Sequence, residues 1–156
     1  EISIRILMIL QLTPNTHPIL HEQVKKCSYD LDRVELSKIL YENMMHHNGV
    51  GLSANQIGIN ERVFIMVKDL EYNEILTCFN PRIVKRSSKT CVMEEGCLSY
   101  PDEFIEVERP ESVVVKYEDV DKVDHKIKLE GLAARIFLHE FDHMEGINFT
   151  QKKYTK

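Results

Sequence analysis

Five residues near the end of the chain, His139-Glu140-Phe141-Asp142-His143, form an HExxH pattern. On a helix, where each residue turns by about 100°, His139 and His143 project from one face one turn apart, so both imidazoles can reach one ion. Glu140 lies on the adjacent flank, near enough to hold a water beside that ion without being a ligand. Leu132 and Ile136 extend the same stripe and place both histidines on the apolar, inward face. Imidazoles buried there need partners, and a metal supplies them. Under random placement of the 7 His and the Glu of this chain, an HExxH would occur with a chance of about 0.03.

A catalytic site of this kind takes three protein ligands and leaves one position open. Glu145 is the only carboxylate after His143, and it sits about 200° round the helix, so the third ligand must come from upstream. The best candidate is Cys97, within Glu94-Glu95-Gly96-Cys97-Leu98-Ser99. Gly96 lets the backbone turn tightly there, and a thiolate binds a divalent ion strongly. His46, His47 and His125 are alternative ligands, but none stands in a turn beside glycine. Cys27, Cys78 and Cys91 are expected to be buried core residues.

A third segment, Gly49-Val50-Gly51-Leu52-Ser53-Ala54-Asn55-Gln56-Ile57-Gly58, looks superficially like a phosphate loop. It follows a helix rather than a strand, and Ala54 stands where a third glycine belongs. Small residues there better serve close backbone approach to an extended ligand. Gln56 offers a neutral amide to a developing oxyanion, with a plain surface turn as the competing reading.

The elements that must position these residues are legible in outline. A helix is expected from about Asp30, as N-cap, to His47, with Leu31, Val34, Leu40, Met44 and Met45 as its stripe and Gly49 as its stop. Arg62–Val67, Ile75–Phe79, Phe104–Val107 and Val113–Tyr117 read as strands. A second helix is expected from Gly131 to Glu145, closed by Gly146, with a strand around Ile147–Phe149. Strands run between two helices without strict alternation, so the class is α+β, one domain spanning 1–156.

Composition sets the bounds. The chain has 156 residues, 43% hydrophobic and 29% charged, with 20 Lys+Arg against 25 Asp+Glu for a net charge of −5. No apolar run approaches the roughly 18 residues of a membrane span, and the first segment, short and interrupted by Arg5, does not read as a signal peptide. The mild acidity argues against a protein that grips nucleic acid through broad charge. Four cysteines without a CxxC pair point to a reducing compartment.

Taken jointly, GVGLSANQ, EGCLS and HEFDH resemble the three signature motifs of the peptide deformylases, in that family's order. The likeness runs from about Ile6 to Phe149 and includes the Arg109-Pro110 turn and the EGLAAR approach to the metal helix. The resemblance implies an α+β fold of mostly antiparallel sheets packed around a central metal-binding HExxH helix. It implies removal of the formyl group from the N-terminal methionine of nascent polypeptides, with release of formate. Cys97, His139 and His143 would then bind the metal, natively iron(II) with zinc, nickel or cobalt as substitutes. Glu140 would be general base and then acid, and the Gln56 amide and Leu98 backbone N–H would hold the oxyanion. Gly49 and Gly51 would bring backbone close, while Val50, Leu132 and Ile136 line a methionine pocket. Glu95 is expected to pair with Arg109 and so fix the loop that carries Cys97.

Three departures from the family pattern stand out. Ser53 replaces a usual alanine and is expected to be tolerated. Arg135 stands where an aliphatic residue is common; its stem is expected at the pocket edge with its head in water, the sharper alternative being contact with the substrate backbone. Many bacterial relatives continue into a C-terminal helix used at the ribosome, whereas here 13 residues follow His143 and end in a basic tail, Lys152, Lys153 and Lys156. A short-form deformylase is therefore expected, monomeric, with ribosome contact weakened by the missing helix, and with no membrane or sequence-specific nucleic-acid partner. The expected location is cytoplasmic. Organellar import after transit-peptide removal, for which the start at Glu1 rather than Met leaves room, and a phage-encoded protein in a bacterial host are the alternatives. The rival activities are a metallopeptidase cutting internal bonds, which lacks its usual downstream ligand here, and a non-catalytic metal-stabilised binding module, which would not need Glu140 or Gln56.

Overall fold

A computed structural model describes residues 8–155; the N-terminal apolar segment through Leu7, and Lys156 of the basic tail, lie outside them. The described elements run α1 (Arg33–His46), β1 (Gly51–Ser53), β2 (Val63–Asp69), β3 (Glu74–Arg86), β4 (Thr90–Cys97), β5 (Tyr100–Pro110), β6 (Ser112–Glu118), β7 (Asp124–Glu130) and α2 (Gly131–Met144). Short 3-10 turns cover Pro18–His21, Ala54–Ile57 and Phe149–Lys152. All strand pairing is antiparallel: a five-stranded sheet in the order β1-β2-β3-β6-β7, and a separate β4-β5 ribbon. The α+β class follows directly.

The strands sort their side chains by period two. In β6, Val113, Val115 and Tyr117 are buried while Val114, Lys116 and Glu118 face outward. The buried set joins Phe64, Met66, Cys78 and Leu129 to form one layer of core against Ala134, Phe137 and Met144 of α2. The other face of β1 and β2 packs Leu52, Val63, Ile65 and Val67 against Leu36, Ile39, Leu40 and Met44 of α1. Helix α2 therefore lies across the sheet, touching β1, β2, β6 and β7, with the ribbon strand β5 on its far side. Its buried residues include Arg135, Glu140 and His143, so it is enclosed nearly all round. Among the described residues no helix is long and apolar enough to cross a membrane.

Helix α2 ends as its sequence requires. Gly146 takes φ +72, and a Cβ there would stand 2.7 Å from the Glu22 backbone. Only glycine meets both demands. The Arg62 guanidinium caps the same end, donating to the Met144 carbonyl and pairing with Glu145.

Several expected boundaries move. The N-cap of α1 is Asp32, whose carboxylate accepts the Glu35 N–H, rather than Asp30. Asn48, at φ +58, rather than Gly49 takes the left-handed position after α1. Val34 and Met45 are exposed, because α1 turns Leu36, Ile39 and Leu40 to the sheet instead. Ile147–Phe149 forms no strand; Asn148 instead caps a 3-10 turn, and pairing resumes with a Val107–Lys153 bridge. Cys91 is exposed on the ribbon, so of the three cysteines assigned to the core only Cys78 is fully buried and Cys27 partly so.

Candidate metal centre and catalytic cavity

Helix α2 carries His139 and His143 one turn apart, with ring centroids 5.1 Å apart and the planes edge-on. The ribbon brings Cys97. Its pairing slips at Gly96/Cys97, a bulge that ends the ladder and turns the Cys97 side chain toward the helix. Gly96 lies against the exposed Phe104 ring: a Cβ there would meet the ring at 2.8 Å and oblige it to shift. One ligand atom from each of Cys97, His139 and His143 lies within 4.8 Å of the others, and Cys97 Sγ stands 3.4 Å from His143 Nε2. Metal–sulfur and metal–nitrogen bonds of about 2.3 and 2.0 Å at a tetrahedral angle span about 3.6 Å, so the spacing suits one bridging ion.

Beneath the ligands lies an ionic cluster. Glu95 accepts from Arg109 through Nε (2.6 Å) and Nη2 (3.0 Å), from Arg135 Nη1 (2.5 Å) and from His139 Nδ1 (3.0 Å). The expected Glu95–Arg109 pair is present, and it does more than hold a loop. It fixes the His139 ring so that Nε2 faces Cys97. Arg109 also pairs with Asp142, tying β5 to α2 at 2.9 Å.

The Arg135 head is not in water. The residue is 6% exposed, and its guanidinium donates to Glu95, to the Val107 carbonyl and to the Cys91 carbonyl. Buried on three acceptors, it braces the ribbon against α2, which overturns the solvated-head expectation.

The electrostatics call for a cation. Burial opposes charge on His139, but hydrogen bonds to Cys97 and Glu95 and the nearby Glu140 outweigh it and push the imidazole up to about 10. Burial, with His139 and Arg109 nearby, holds His143 well below its ordinary value. For Glu95 burial is outweighed by hydrogen bonds from His139 and Arg109, which hold the carboxyl at about 2. Glu95 and Glu140 thus favour positive charge at His139. A thiolate and two imidazoles in this setting fit a divalent transition metal.

Glu140 is 4% exposed, and its Oε2 is buried with no hydrogen-bond partner among the described residues. Burial pushes its carboxyl up to about 7, against the pull of His139 and Arg109. It rests on Gly51, where a Cβ would lie 3.0 Å from Glu140 Oε1. Gln56 is buried in a 3-10 turn, not on a surface turn. Its Oε1 accepts from the Ser53 N–H and Oγ–H (3.0 Å each), leaving Nε2 to face Ser99 Oγ at 3.0 Å and Cys97 Sγ at 3.7 Å. Backbone N–H groups only donate, so Ser53 fixes which end of the amide looks into the site.

A cavity of about 510 Å³ opens beside these groups. Val50, Gly51, Gln56, Cys97, Leu98, Leu132, Arg135, Ile136, His139 and Glu140 all line it; His143, behind Cys97, does not. Ile136 is 6% exposed, whereas Val50, Leu132, Met93 and Phe104 are exposed around it. Sequence reasoning missed Ser99 and Asp142 as supports, and it missed Ser53 as more than a tolerated change. The Ser53-x-x-Gln56 spacing is itself a helix-start signal that would have found the Ser53–Gln56 contact.

Comparison with known proteins agrees with this geometry. The profile of the polypeptide deformylase family matches residues 9–155. Peptide deformylase of Thermotoga maritima is 40% identical over 131 residues, 83% of this chain and 78% of that protein. The crystal structure of the Thermotoga maritima enzyme superposes with a TM-score of 0.88 at 34% identity, covering 95% of this chain and 99% of that one. A Met-Ala-Ser-bound class I type b peptide deformylase from Acinetobacter baumannii gives 0.86 at 32% identity, covering 94% and 99%.

Proposed function

The chain belongs to the polypeptide deformylase family, metal-dependent hydrolases that remove the N-formyl group from nascent polypeptides, and we propose the following division of that work among its residues. Cys97, His139 and His143 hold the divalent ion, with iron(II) as the native metal and zinc, nickel or cobalt as substitutes. The ion supplies Lewis-acid polarisation and lowers the pKa of water at the site.

Glu140 Oε2 accepts a proton from the water that attacks the formyl carbon. The same carboxyl returns that proton to the departing amine nitrogen as the C–N bond breaks, leaving formate and a free amino terminus. The Gln56 Nε2–H and the Leu98 backbone N–H donate to the oxyanion as it forms. A formyl group is the smallest acyl group, and close backbone at Gly49 and Gly51 leaves room for little else. The methionine side chain lies along Val50, Leu132 and Ile136. The substrates are nascent formyl-methionyl chains met at the ribosome, in cytoplasm or organelle, by a monomeric enzyme.

The observation that carries this assignment is the buried, unpartnered Glu140 Oε2 beside the Cys97–His139–His143 cluster. Formate release from a formyl-Met tripeptide under anaerobic conditions tests it, with wild type compared against Glu140→Ala. The wild type is expected to release formate and the variant to lose nearly all turnover while keeping its metal. Activity persisting in Glu140→Ala would overturn the role given to that residue.

A further inference from the structure

Helix α1 covers one face of the five-stranded sheet over β1, β2 and the first part of β3, where Ser37 meets Thr77 and Arg33 lies over Phe79, and Arg33 reaches Glu118 at the end of β6, while α2 occupies the opposite face. The part of that first face formed by the end of β3, β6 and β7 is bare. The first row beyond α1 is cationic: Arg82 of β3 stands directly opposite Lys116 of β6, which stands directly opposite Lys126 of β7. Among the described residues none of the three forms an ion pair. In the next row Lys85 and Lys128 flank Val114, with Lys128 drawn to Glu130 at 3.1 Å. Lys26 joins Arg82 and Lys116 round a shallow depression of about 280 Å³, whose acids are Glu118 and Asp124. Of these, Glu118 is turned to Arg33 and Asn80.

Like charges directly opposite on neighbouring strands destabilise a sheet, and opposite charges would stabilise it. Three in a line, in a chain whose net charge is −5, therefore work against the fold they sit on. Adjacent strands are about 4.8 Å apart, so the row spans about 10 Å. That length matches about three phosphate-to-phosphate intervals along one strand of a nucleic acid, at about 3.4 Å of axis each. The catalytic cavity lies with α2 and the ribbon, on the other side of the sheet.

We propose that the Arg82–Lys116–Lys126 face docks the enzyme on the phosphate backbone of ribosomal RNA, leaving the cavity open to the emerging chain. The inference rests on the deformylase reading, because that reading brings the enzyme to nascent chains. The contact is local and takes no base sequence, consistent with an acidic protein that carries one basic face.

Binding to vacant ribosomes and to isolated ribosomal RNA, measured across a salt series, tests the proposal. Three proteins are compared: wild type, the triple reversal Arg82→Glu/Lys116→Glu/Lys126→Glu, and the neutral triple Arg82→Gln/Lys116→Gln/Lys126→Gln. Both variants are expected to bind at least tenfold more weakly, with the salt slope reduced by about 2–3. Tripeptide turnover is expected to be unchanged. The neutral triple removes the repulsion, so its melting temperature is expected to equal or exceed that of wild type while its binding falls. A purely solvated face would leave ribosome binding equal in all three, or absent from wild type, and either result overturns the proposal. So does a salt-sensitive wild-type dimer in sedimentation velocity that the variants abolish, since the face would then bind a second copy. Ribosome binding by a wild type that cannot deformylate the tripeptide would overturn the deformylase reading instead, so the two failures are separable.

Discussion

Gly51→Ala separates catalysis from stability in a way that follows from one contact. A Cβ on Gly51 would lie 3.0 Å from both Cγ and Oε1 of Glu140 and 3.1 Å from its carboxyl carbon. Carbon pairs rest near 3.5–4.0 Å, so the carboxyl group must retreat by about 0.5–1 Å. Glu140 borders the cavity, and among the described residues no hydrogen bond on Oε2 holds it in register. Misplacing a catalytic group by about 1 Å costs about 100-fold, so kcat is expected to fall 10- to 100-fold, a barrier increase of about 1.4–2.7 kcal/mol. The fold has little reason to object. Gly51 is not among the glycines with positive φ, so alanine fits the backbone of β1. Loss of glycine freedom in the unfolded chain contributes about 0.4–1 kcal/mol of stability, which offsets much of the steric strain. Initial rates on a formyl-Met tripeptide, with metal content and thermal unfolding measured on the same preparation, decide the matter. A kcat within twofold of wild type would refute the reasoning, and so would a parallel loss of metal and melting temperature.

Other perturbations probe the ionic cluster and the acid limit of the fold. Glu95→Gln strips the shared carboxylate from Arg109, Arg135 and His139; it should lower stability by about 3–5 kcal/mol and metal affinity by about 10- to 100-fold, read by thermal melts and metal titration. Arg135→Leu leaves the Val107 and Cys91 carbonyls without their donor and should cost about 2–4 kcal/mol. Its KM for the tripeptide should move less than threefold; an unchanged melting temperature with a tenfold shift in KM would contradict the bracing role. Hydrogen bonds from Arg33 and Asn80 outweigh burial to hold Glu118 below the usual carboxylate range, and the bond from His125 does the same for Asp119. Folded values below unfolded ones mean that this stabilisation is complete above about pH 5 and is lost as pH falls through the lowered values. Carboxyl NMR titrations should place both midpoints below those of exposed Asp and Glu, and Arg33→Met should bring the Glu118 midpoint back up.

The parts of the site legible in the sequence are those whose chemistry is local. HExxH needs only a helix to place two imidazoles together, and α2 from Gly131 to Met144 is such a helix. Strand β4 escaped notice because TCVMEEGC has no alternation, and most of it is exposed; its order comes from pairing with β5. Strand β7 carried its signal in His125, Ile127 and Leu129, an alternation hidden by charged neighbours. Arg135 was misjudged because an arginine on an otherwise apolar face normally sends its head to solvent. Only the tertiary meeting of β4, β5 and α2 surrounds it with acceptors.

That meeting also explains why a metal ligand sits on the least self-sufficient element of the fold. A two-stranded ribbon is marginal by itself, and β4 buries only Glu95 outright. The ribbon is held by the Glu95 cluster, by the Tyr154 N–H on the Glu106 carbonyl, and by the Val107–Lys153 bridge. Glu95 is thus the point where ribbon order and ligand geometry become one quantity: the carboxylate that pins β4 to α2 is the one that orients His139. A change that loosens the ribbon must loosen Cys97 and His139 together. An ion held by both must in turn stabilise the ribbon, by the linkage that couples ligand binding to folding.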